Sequence, residues 1–444
     1  MSHTKKPSRR DFLKGSTAVV ASAALVGGLS VARSAHAQGS DVIKVVLSGA
    51  GGRGTGAIGN LMNADKNLKL IAVADAFENR ARGCVNNLKK KYGEQVDVPD
   101  DRIFLGLKAF QDAFATEADL VVLATPPGFR PMQYKAAIEA GKHVFMEKPC
   151  CVDAPGYKSL LETSKLADEK ERLVGVGLQR RHEPRYMETI QKIHDGALGK
   201  VMFTRVYWNG GGIWNNKRAA LATQLGREPT EMEYQVFNWY HFCWLSGDNI
   251  GEQHIHNLDV GNWVMGDQHP AEANGMGGCT ARYLGENKGT GQIFDHHFVE
   301  FTYADGTKMF SQSRHMAQCF NSVSEAAHGT EGTSNCNGSI EGANAWSFRG
   351  DSPGGHQQEQ TDLVATLRAG QRYNEGFYGA NSSMTSVLGR AANYSGGVVK
   401  WDDLVAKGQS EMPDNLDWDA PAPVQKGADG DYPIPMPGVT SPYA

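Results

Sequence analysis

The sequence lacks an apolar segment long enough to cross a membrane once its first 37 residues are set aside. A membrane-spanning helix needs about 20 predominantly apolar residues, and no run of that length follows residue 37. The apolar stretch 16–32 is diluted with glycine, serine and alanine, so we expect no stable membrane span there. With 40% hydrophobic and 21% charged residues, the rest of the chain is predicted to be globular.

Positive charge is scarce in the body of the chain. The 444 residues carry a formal net charge of −4. The first 37 residues hold six of the 45 basic residues and one of the 49 acidic ones, which leaves 39 basic and 48 acidic residues for the remainder. A nucleic-acid-binding protein needs a basic face to neutralise phosphates. We therefore predict that nucleic acid is not a partner.

Cysteine is sparse as well. There are seven, an odd number, and only Cys150 and Cys151 are adjacent. Their spacing matches neither a disulfide framework nor a zinc ribbon. Most are predicted to be ordinary buried thiols.

The N-terminus has the pattern of an export signal. The segment 8–14, SRRDFLK, matches the twin-arginine motif, and Ala35-His36-Ala37 fits an A-x-A cleavage site. Residues 1–37 are therefore predicted to be a signal peptide read by the twin-arginine export machinery. That machinery carries folded proteins, and we expect the mature protein to be periplasmic.

The length of the chain suits two further domains. Between residues 38 and 150, short apolar runs alternate with helix-like stretches, which predicts a parallel sheet with helices on both faces. From 151 to 444 the pattern changes: the runs 297–303 and 307–313 flank an Asp-Gly turn and predict a β-hairpin. We expect an α+β domain with a large open, mostly antiparallel sheet and an irregular C-terminal tail.

A glycine-rich loop joins the first predicted strand to the first helix. Residues 49–54, GAGGRG, fit the G-x-G-x-x-G pattern, in which Gly49 makes the tight turn, Gly51 lets the backbone approach a pyrophosphate, and Gly54 allows helix–strand packing. Asp75 ends the second strand, where an acid accepts hydrogen bonds from ribose hydroxyls. An acid there favours NAD, although NADP remains possible because Arg53 could reach a phosphate. Domain 38–150 is thus predicted to be an NAD-binding Rossmann domain.

Three segments together resemble the family of glucose–fructose oxidoreductase, inositol dehydrogenase and MocA-type proteins. They are the glycine loop, Glu147-Lys148-Pro149 at a strand end, and Glu252-x-x-x-His256-x-x-Asp259, and their spacing covers roughly residues 40–400. The resemblance implies an NAD(P)-dependent oxidoreductase acting on a sugar, sugar derivative, polyol or glycoside. It also implies a homo-oligomer, because family members often associate through the open sheet.

The resemblance assigns catalysis to Lys148 and His256, supported by Glu252. Chemically, a neutral histidine can accept the proton of a hydroxyl group, and a lysine ammonium can stabilise the developing alkoxide. Glu252 stands where the family usually has aspartate, with a role in orienting His256 or in touching substrate. The residues expected to contact the cofactor are Gly49, Gly51, Gly52, Arg53, Gly54, Asp75, Thr125, Pro126, Glu147 and Lys148.

Arg181 and Tyr186 follow a strand end near the expected cleft, and with Asp259 they are predicted to contact substrate. His254, His256 and Asp259 could instead bind a metal, but the dinucleotide loop upstream favours the first interpretation, and we predict no metal. His296 and His297 begin a strand and have no assigned role.

Two alternative functions are compatible with this sequence, one because it uses the same catalytic residues and the other because it needs only the same fold. A redox-neutral glycosidase would oxidise a sugar carbon transiently and then return the hydride. A non-catalytic sugar-binding protein would keep the fold but would not need Lys148 and His256. Because the periplasm has no NAD pool comparable to that of the cytoplasm, we also expect the cofactor to be tightly held.

Overall fold

Two β-sheets organise the part of the chain that the computed structural model describes, residues 41–444. The predicted signal, 1–37, lies outside the described residues. No helix between residues 41 and 444 is long and apolar enough to cross a membrane.

The first sheet is parallel throughout and has the strand order β3-β2-β1-β4-β5-β6. Its strands are β1 Ile43–Ser48, β2 Leu68–Asp75, β3 Ile103–Leu105, β4 Leu120–Leu123, β5 His143–Met146 and β6 Val174–Val176. The helices between them are α1 Gly52–Ala64, α2 Glu78–Tyr92, α3 Ala109–Phe114, α4 Arg130–Glu139 and α5 Ala154–Glu169. Apart from the edge strand β3, the strands are short apolar runs buried on both faces, which is the pattern of a sheet covered by helices on each side. The predicted doubly wound parallel sheet is confirmed.

The parallel sheet extends beyond the domain boundary predicted at residue 150. Helix α5 returns the chain to the sheet edge, where β6 pairs in parallel with β5. Val174 and Val176 are completely buried there, so this run belongs with the first core and not with the second sheet. The short strand β3 was not predicted, because an apolar run of only three residues is too short to indicate a strand.

The second sheet has nine strands in the order β14-β13-β12-β11-β7-β10-β9-β8-β15. They are β7 Val201–Gly210, β8 Glu272–Gly278, β9 His296–Thr302, β10 Lys308–His315, β11 Ser322–Gly329, β12 Gly332–Ser334, β13 Ser339–Gly342, β14 Trp346–Ser347 and β15 Val399–Lys400. The hairpin predicted around the Asp-Gly turn forms between β9 and β10, with Thr302 opposite Lys308. All neighbouring strands are antiparallel except β7 and β10, so the predicted mostly antiparallel sheet is confirmed.

The helices that follow β6 in the chain are α6 Pro184–His194, α7 Arg218–Leu225, α8 Glu231–Phe237, α9 Cys243–Ser246, α10 Asp248–Glu252, α11 Ile255–Val264, α12 Gly355–Arg368, α13 Gly376–Ser395 and α14 Trp401–Lys407. Of these, α10, α11 and α13 pack on the second sheet, whereas α12 packs on α1. Burial alternates along β9 and β10, because one face packs on α11 and α13 and the other is partly exposed. Residues 408–444 contain neither helix nor strand, in agreement with the predicted irregular tail.

Candidate functional site

A cleft of about 970 Å³ lies at the carboxyl ends of the parallel strands. Strand order reverses between β1 and β4, and ligands of open parallel sheets bind at such a switch point. One wall comes from the first sheet and its loops, and the other from residues beyond 178. Among the residues that line it are Gly49, Gly51, Gly52, Arg53, Asp75, Thr125, Pro126, Glu147, Lys148, Gln179, Trp208, Trp214, Trp239, Glu252, His256 and His356.

The glycine loop leaves an open cradle at the start of α1. Gly49 has φ +96°, and a Cβ there would lie 2.4 Å from the backbone nitrogen of Thr125. A Cβ on Gly51 or Gly52 would meet nothing within 4 Å, because both face the open cleft. Helix α1 has no side-chain cap at Gly51, so its first N–H groups can receive a phosphate. These residues fit the pyrophosphate of a dinucleotide.

Asp75 lies beside this loop at the end of β2. Its carboxylate accepts hydrogen bonds from the backbone nitrogens of Ala50 at 2.7 Å and of Phe77 at 2.9 Å. Burial raises the pKa of Asp75, and the backbone N–H donors and Arg80 oppose this shift. The sequence-based prediction missed Arg80, which lies in the first turn of α2 and lines the same cleft. In the sequence, only the position of Arg80 about one helical turn beyond the second strand could have indicated that it lines the cleft.

Arg53 is held by two carboxylates. Its Nε donates to Glu147, and its Nη2 donates to Oε1 of Glu359, on α12, at 2.9 Å. Burial would lower the pKa of Arg53, but the two carboxylates raise it overall. The guanidinium charge is therefore already paired, which weakens the expectation that Arg53 reaches a phosphate. Glu359 was not predicted, because about 300 residues separate it from its partner.

Lys148 and Glu252 form a pair inside the cleft. The Lys148 Nζ donates to the Glu252 backbone carbonyl at 2.5 Å and lies 3.3 Å from its Oε1. Burial raises the pKa of Glu252, and the nearby ammonium opposes this. The other carboxylate oxygen of Glu252 is buried and makes no hydrogen bond to any group of residues 41–444. In the structure Glu252 contacts Lys148, whereas the sequence suggested that it either orients His256 or touches substrate.

His256 lies on α11 and faces the same cleft. Its ring stacks on Trp208, with ring centroids 6.0 Å apart and planes 28° apart. Nδ1 is buried and has no hydrogen-bond partner in the described part of the chain. Burial lowers the pKa of His256 well below its usual value, and the positive charges of Lys148 and Arg180 lower it further. The imidazole is therefore neutral at pH 7 and able to accept a proton.

The three predicted substrate contacts do not line the cleft, which corrects that prediction. Arg181 binds the carboxylate of Asp259 through two nitrogens, at 2.8 and 2.9 Å, and also contacts Asp267 at 2.7 Å. The hydroxyl of Tyr186 donates to Glu325 at 3.2 Å. Of the turn Gln179–His182 after β6, only Gln179 lines the cleft, and Arg181 pairs with Asp259 and Asp267 instead. Spacing along the chain could not reveal this, because buried carboxylates elsewhere attract these side chains.

The metal site considered for His254, His256 and Asp259 does not form in this structure either. His254 Nε2 bonds to the Ser311 hydroxyl at 2.7 Å, and Asp259 is paired with Arg181. Across residues 41–444, no group of three histidine, cysteine, aspartate or glutamate side chains is placed to hold a metal ion.

The two histidines without an assigned role belong to polar contacts at the second sheet. His297 is buried, with Nδ1 2.9 Å from the Asn393 amide and Nε2 3.2 Å from Asp248. His296 Nδ1 lies 2.7 Å from Asp295. Neither histidine lines the cleft.

His182 makes the stability of the protein dependent on pH. Burial would lower its pKa, but Glu375 at 3.1 Å and Asp362 at 2.8 Å raise the pKa to about 9. A raised folded-state pKa stabilises the protein fully below about pH 6.5, and this stabilisation is lost as pH rises through 9. We expect the unfolding free energy to fall by up to about 3 kcal/mol over that range.

Urea unfolding of wild type and His182→Gln at pH 6 and pH 9 would measure this effect. Glutamine keeps two polar contacts but carries no charge, so its pH dependence should be smaller. If the unfolding free energies of the two proteins fell by the same amount between pH 6 and pH 9, the assignment of this effect to His182 would be contradicted.

Together, the parallel sheet, the strand order and the glycine loop define a Rossmann-type dinucleotide-binding protein. Residues 43–178 match the family described as oxidoreductase family, NAD-binding Rossmann fold, and residues 6–26 match the twin-arginine translocation signal. Residues 43–178 therefore form an NAD-binding Rossmann domain of the Gfo/Idh/MocA oxidoreductase type, and the N-terminus carries a twin-arginine signal. The predictions of family, fold and NAD as cofactor are confirmed.

Curated relatives match over part of the chain. An inositol 2-dehydrogenase/D-chiro-inositol 3-dehydrogenase of Halalkalibacterium halodurans is 31% identical over 222 residues, which are 49% of this chain and 52% of the relative. A glycosyl hydrolase family 109 protein of Shewanella amazonensis is 31% identical over 172 residues, 36% of this chain and 37% of the relative. The chain thus spans about half the length of the curated relatives it matches, or less.

A solved structure matches over most of the chain. The aldose-aldose oxidoreductase from Caulobacter crescentus, crystallised with glycerol, superposes with a TM-score of 0.61 at 16% identity. The match covers 81% of this chain and 99% of that one. At this identity the likeness shows the shared two-sheet fold.

Proposed function

We propose that this protein is an NAD-dependent oxidoreductase that acts on a hydroxyl or carbonyl group of a sugar, sugar derivative, polyol or glycoside. The observation that carries the proposal is that Lys148 and His256 face the same cleft as the glycine loop. The similarity to an inositol dehydrogenase supports a polyhydroxylated ring as substrate. A protein that only binds sugar has no need of this pair of residues beside a dinucleotide cradle.

The residues of the cleft have separate roles in the proposed reaction. NAD, when bound, supplies the hydride acceptor. Neutral His256 accepts the proton of the substrate hydroxyl, and the Lys148 ammonium stabilises the negative charge on that oxygen. Trp208 and Trp214 offer aromatic faces against which the apolar side of a sugar ring can pack.

A redox-neutral glycosidase is the second candidate, favoured by the similarity to the glycosyl hydrolase family 109 protein. Such an enzyme would need the same proton-handling residues. The two functions separate in one experiment, in which the mature protein is incubated with polyols, free sugars and chromogenic glycosides. NADH formation without aglycone release supports the dehydrogenase. Aglycone release without net NADH supports the glycosidase, and neither signal over a broad panel would contradict both.

We further propose that the protein works in the periplasm and retains its cofactor through many turnovers. The twin-arginine signal supports export in the folded state. A dissociation constant near 1 nM corresponds to about 12 kcal/mol, which is within reach of a buried dinucleotide.

Retention predicts that NAD or NADH copurifies with the protein. Mature protein purified without added nucleotide and then denatured should release about one NAD or NADH per chain, detected by chromatography. Protein that comes out empty and turns over only with about millimolar added NAD would contradict retention but not the oxidoreductase function.

We also propose that the protein is a homo-oligomer. Strands of the second sheet expose the apolar side chains Met202, Met276 and Val323, which a partner surface could cover. Light scattering on the purified protein measures the oligomeric state directly. A monomer at micromolar concentration would contradict this proposal.

Cofactor choice is predicted to depend on Asp75. Asp75→Ala should weaken NAD binding and narrow the preference over NADP, because it removes a ribose acceptor and leaves Arg80 beside the site. Titration with NADH and NADPH, followed by fluorescence, measures both affinities, and Asp402→Ala at an exposed position of α14 serves as the control. A wild-type protein that binds NADPH more tightly would contradict the role given to Asp75.

A further inference from the structure

Helix α8 is buried on every side although it has only seven residues. All residues from Met232 to Phe237 are buried, including the polar Glu233 and Gln235. On one side Val236 lines the dinucleotide cleft, and the Phe237 ring packs edge-on against Phe77 with centroids 5.8 Å apart. This side of α8 therefore forms part of the cleft wall near Asp75, where the adenosine part of a dinucleotide would bind. We call this region the adenosine end of the cleft.

The opposite side of α8 is covered by the irregular C-terminal tail. We call residues 417–432 the strap. The Thr230 hydroxyl, which caps α8, donates to the Trp418 carbonyl at 2.8 Å, and the Gln235 amide donates to the Val424 carbonyl at 2.5 Å. The Tyr432 hydroxyl donates to Glu231, in the first turn of α8, at 2.6 Å. These hydrogen bonds fix both ends of α8 to the strap.

Strap and helix converge on Phe77, two residues after Asp75. The Trp418 ring lies 5.8 Å from the Phe77 ring, on which Phe237 also packs. The Arg80 guanidinium lies 5.0 Å from the Phe77 centroid and 5.7 Å from that of Phe237. The strap itself does not line the cleft, so any effect on a bound cofactor passes through α8 and Phe77.

We propose that the strap holds α8 against Phe77 and thereby slows the release of the dinucleotide from the adenosine end of the cleft. To open this wall, α8 must move away from Phe77, which breaks its hydrogen bonds to the strap and exposes the aromatic contacts to water. The loss of these contacts on opening raises the energy barrier to cofactor release, although the strap itself does not touch the cofactor. The inference rests on the proposed NAD-dependent function and gives the retained cofactor a structural cause.

The test measures the rate of NADH release, not turnover. Trp418→Ala protein is loaded with NADH and mixed in a stopped-flow instrument with excess NAD, and the loss of bound NADH fluorescence gives the release rate. We expect release at least tenfold faster than in wild type, with a smaller change in the association rate. Trp346→Ala is the matched control, because Trp346 packs on Phe348 at the far edge of the second sheet and should leave the release rate unchanged.

A milder variant keeps the test decisive if Trp418→Ala does not fold. Tyr432→Phe removes only the hydroxyl that binds Glu231 and should speed release by a few fold, with unchanged circular dichroism. Release at the wild-type rate in the folded variants would overturn the strap but leave the oxidoreductase function intact. A wild-type protein that binds no dinucleotide would overturn both.

Discussion

Replacing Lys148 or His256 with alanine is expected to lower turnover by roughly a hundredfold or more, the usual effect of losing a positioned acid–base group. Lys148 is anchored by two oxygens of Glu252, so its ammonium is held in place before substrate binds. His256 is neutral because burial lowers its pKa, so its loss removes an unprotonated imidazole from the cleft. Glu252→Gln should have a smaller effect, since an amide oxygen can still accept from Lys148.

The affinity for NADH should change little in both variants, because neither side chain belongs to the phosphate cradle. Steady-state kinetics and a fluorescence titration with NADH separate the two properties. Lys135→Ala is a matched control, because Lys135 lies on the surface of α4 and pairs only with Glu139. Near-normal turnover of His256→Ala would remove that residue from the proposed mechanism.

Replacing Gly54 with alanine is expected to weaken dinucleotide binding by about a hundredfold or more. The new Cβ would lie 2.0 Å from the Gly49 carbonyl oxygen and 3.1 Å from the side chains of Ala124 and Leu47. Backbone atoms cannot yield by that amount, so the loop must shift and its N–H groups lose their alignment toward the pyrophosphate.

Gly56→Ala provides the control on the same helix. Its Cβ would come no closer than 3.7 Å to the Arg53 side chain, which is ordinary van der Waals contact. NADH titration of both variants, together with circular dichroism, tests the prediction. Wild-type affinity in a folded Gly54→Ala protein would show that the loop does not hold the phosphates.

Several features of this protein follow from the sequence alone because they depend on neighbours along the chain. The glycine loop needs only its own pattern between a strand and a helix, and the β9–β10 hairpin needs only alternating residues around Asp305 and Gly306. Lys148 and His256 were predicted through local motifs, and the structure places both in the cleft. Local sequence determines the loop and the hairpin, whereas the meeting of Lys148 and His256 in one cleft depends on the tertiary structure.

The partners of charged side chains were decided only by the tertiary structure. Arg181 pairs with the buried carboxylate of Asp259 and with the exposed one of Asp267, and Glu252 binds Lys148 across about 100 residues. A buried charged side chain is stable only when a partner of opposite charge offsets its desolvation. Which groups lie close enough to be that partner depends on contacts between residues that are far apart in the sequence. For the same reason no sequence pattern could show that Trp418, in an irregular tail, packs beside Phe77 at the cleft.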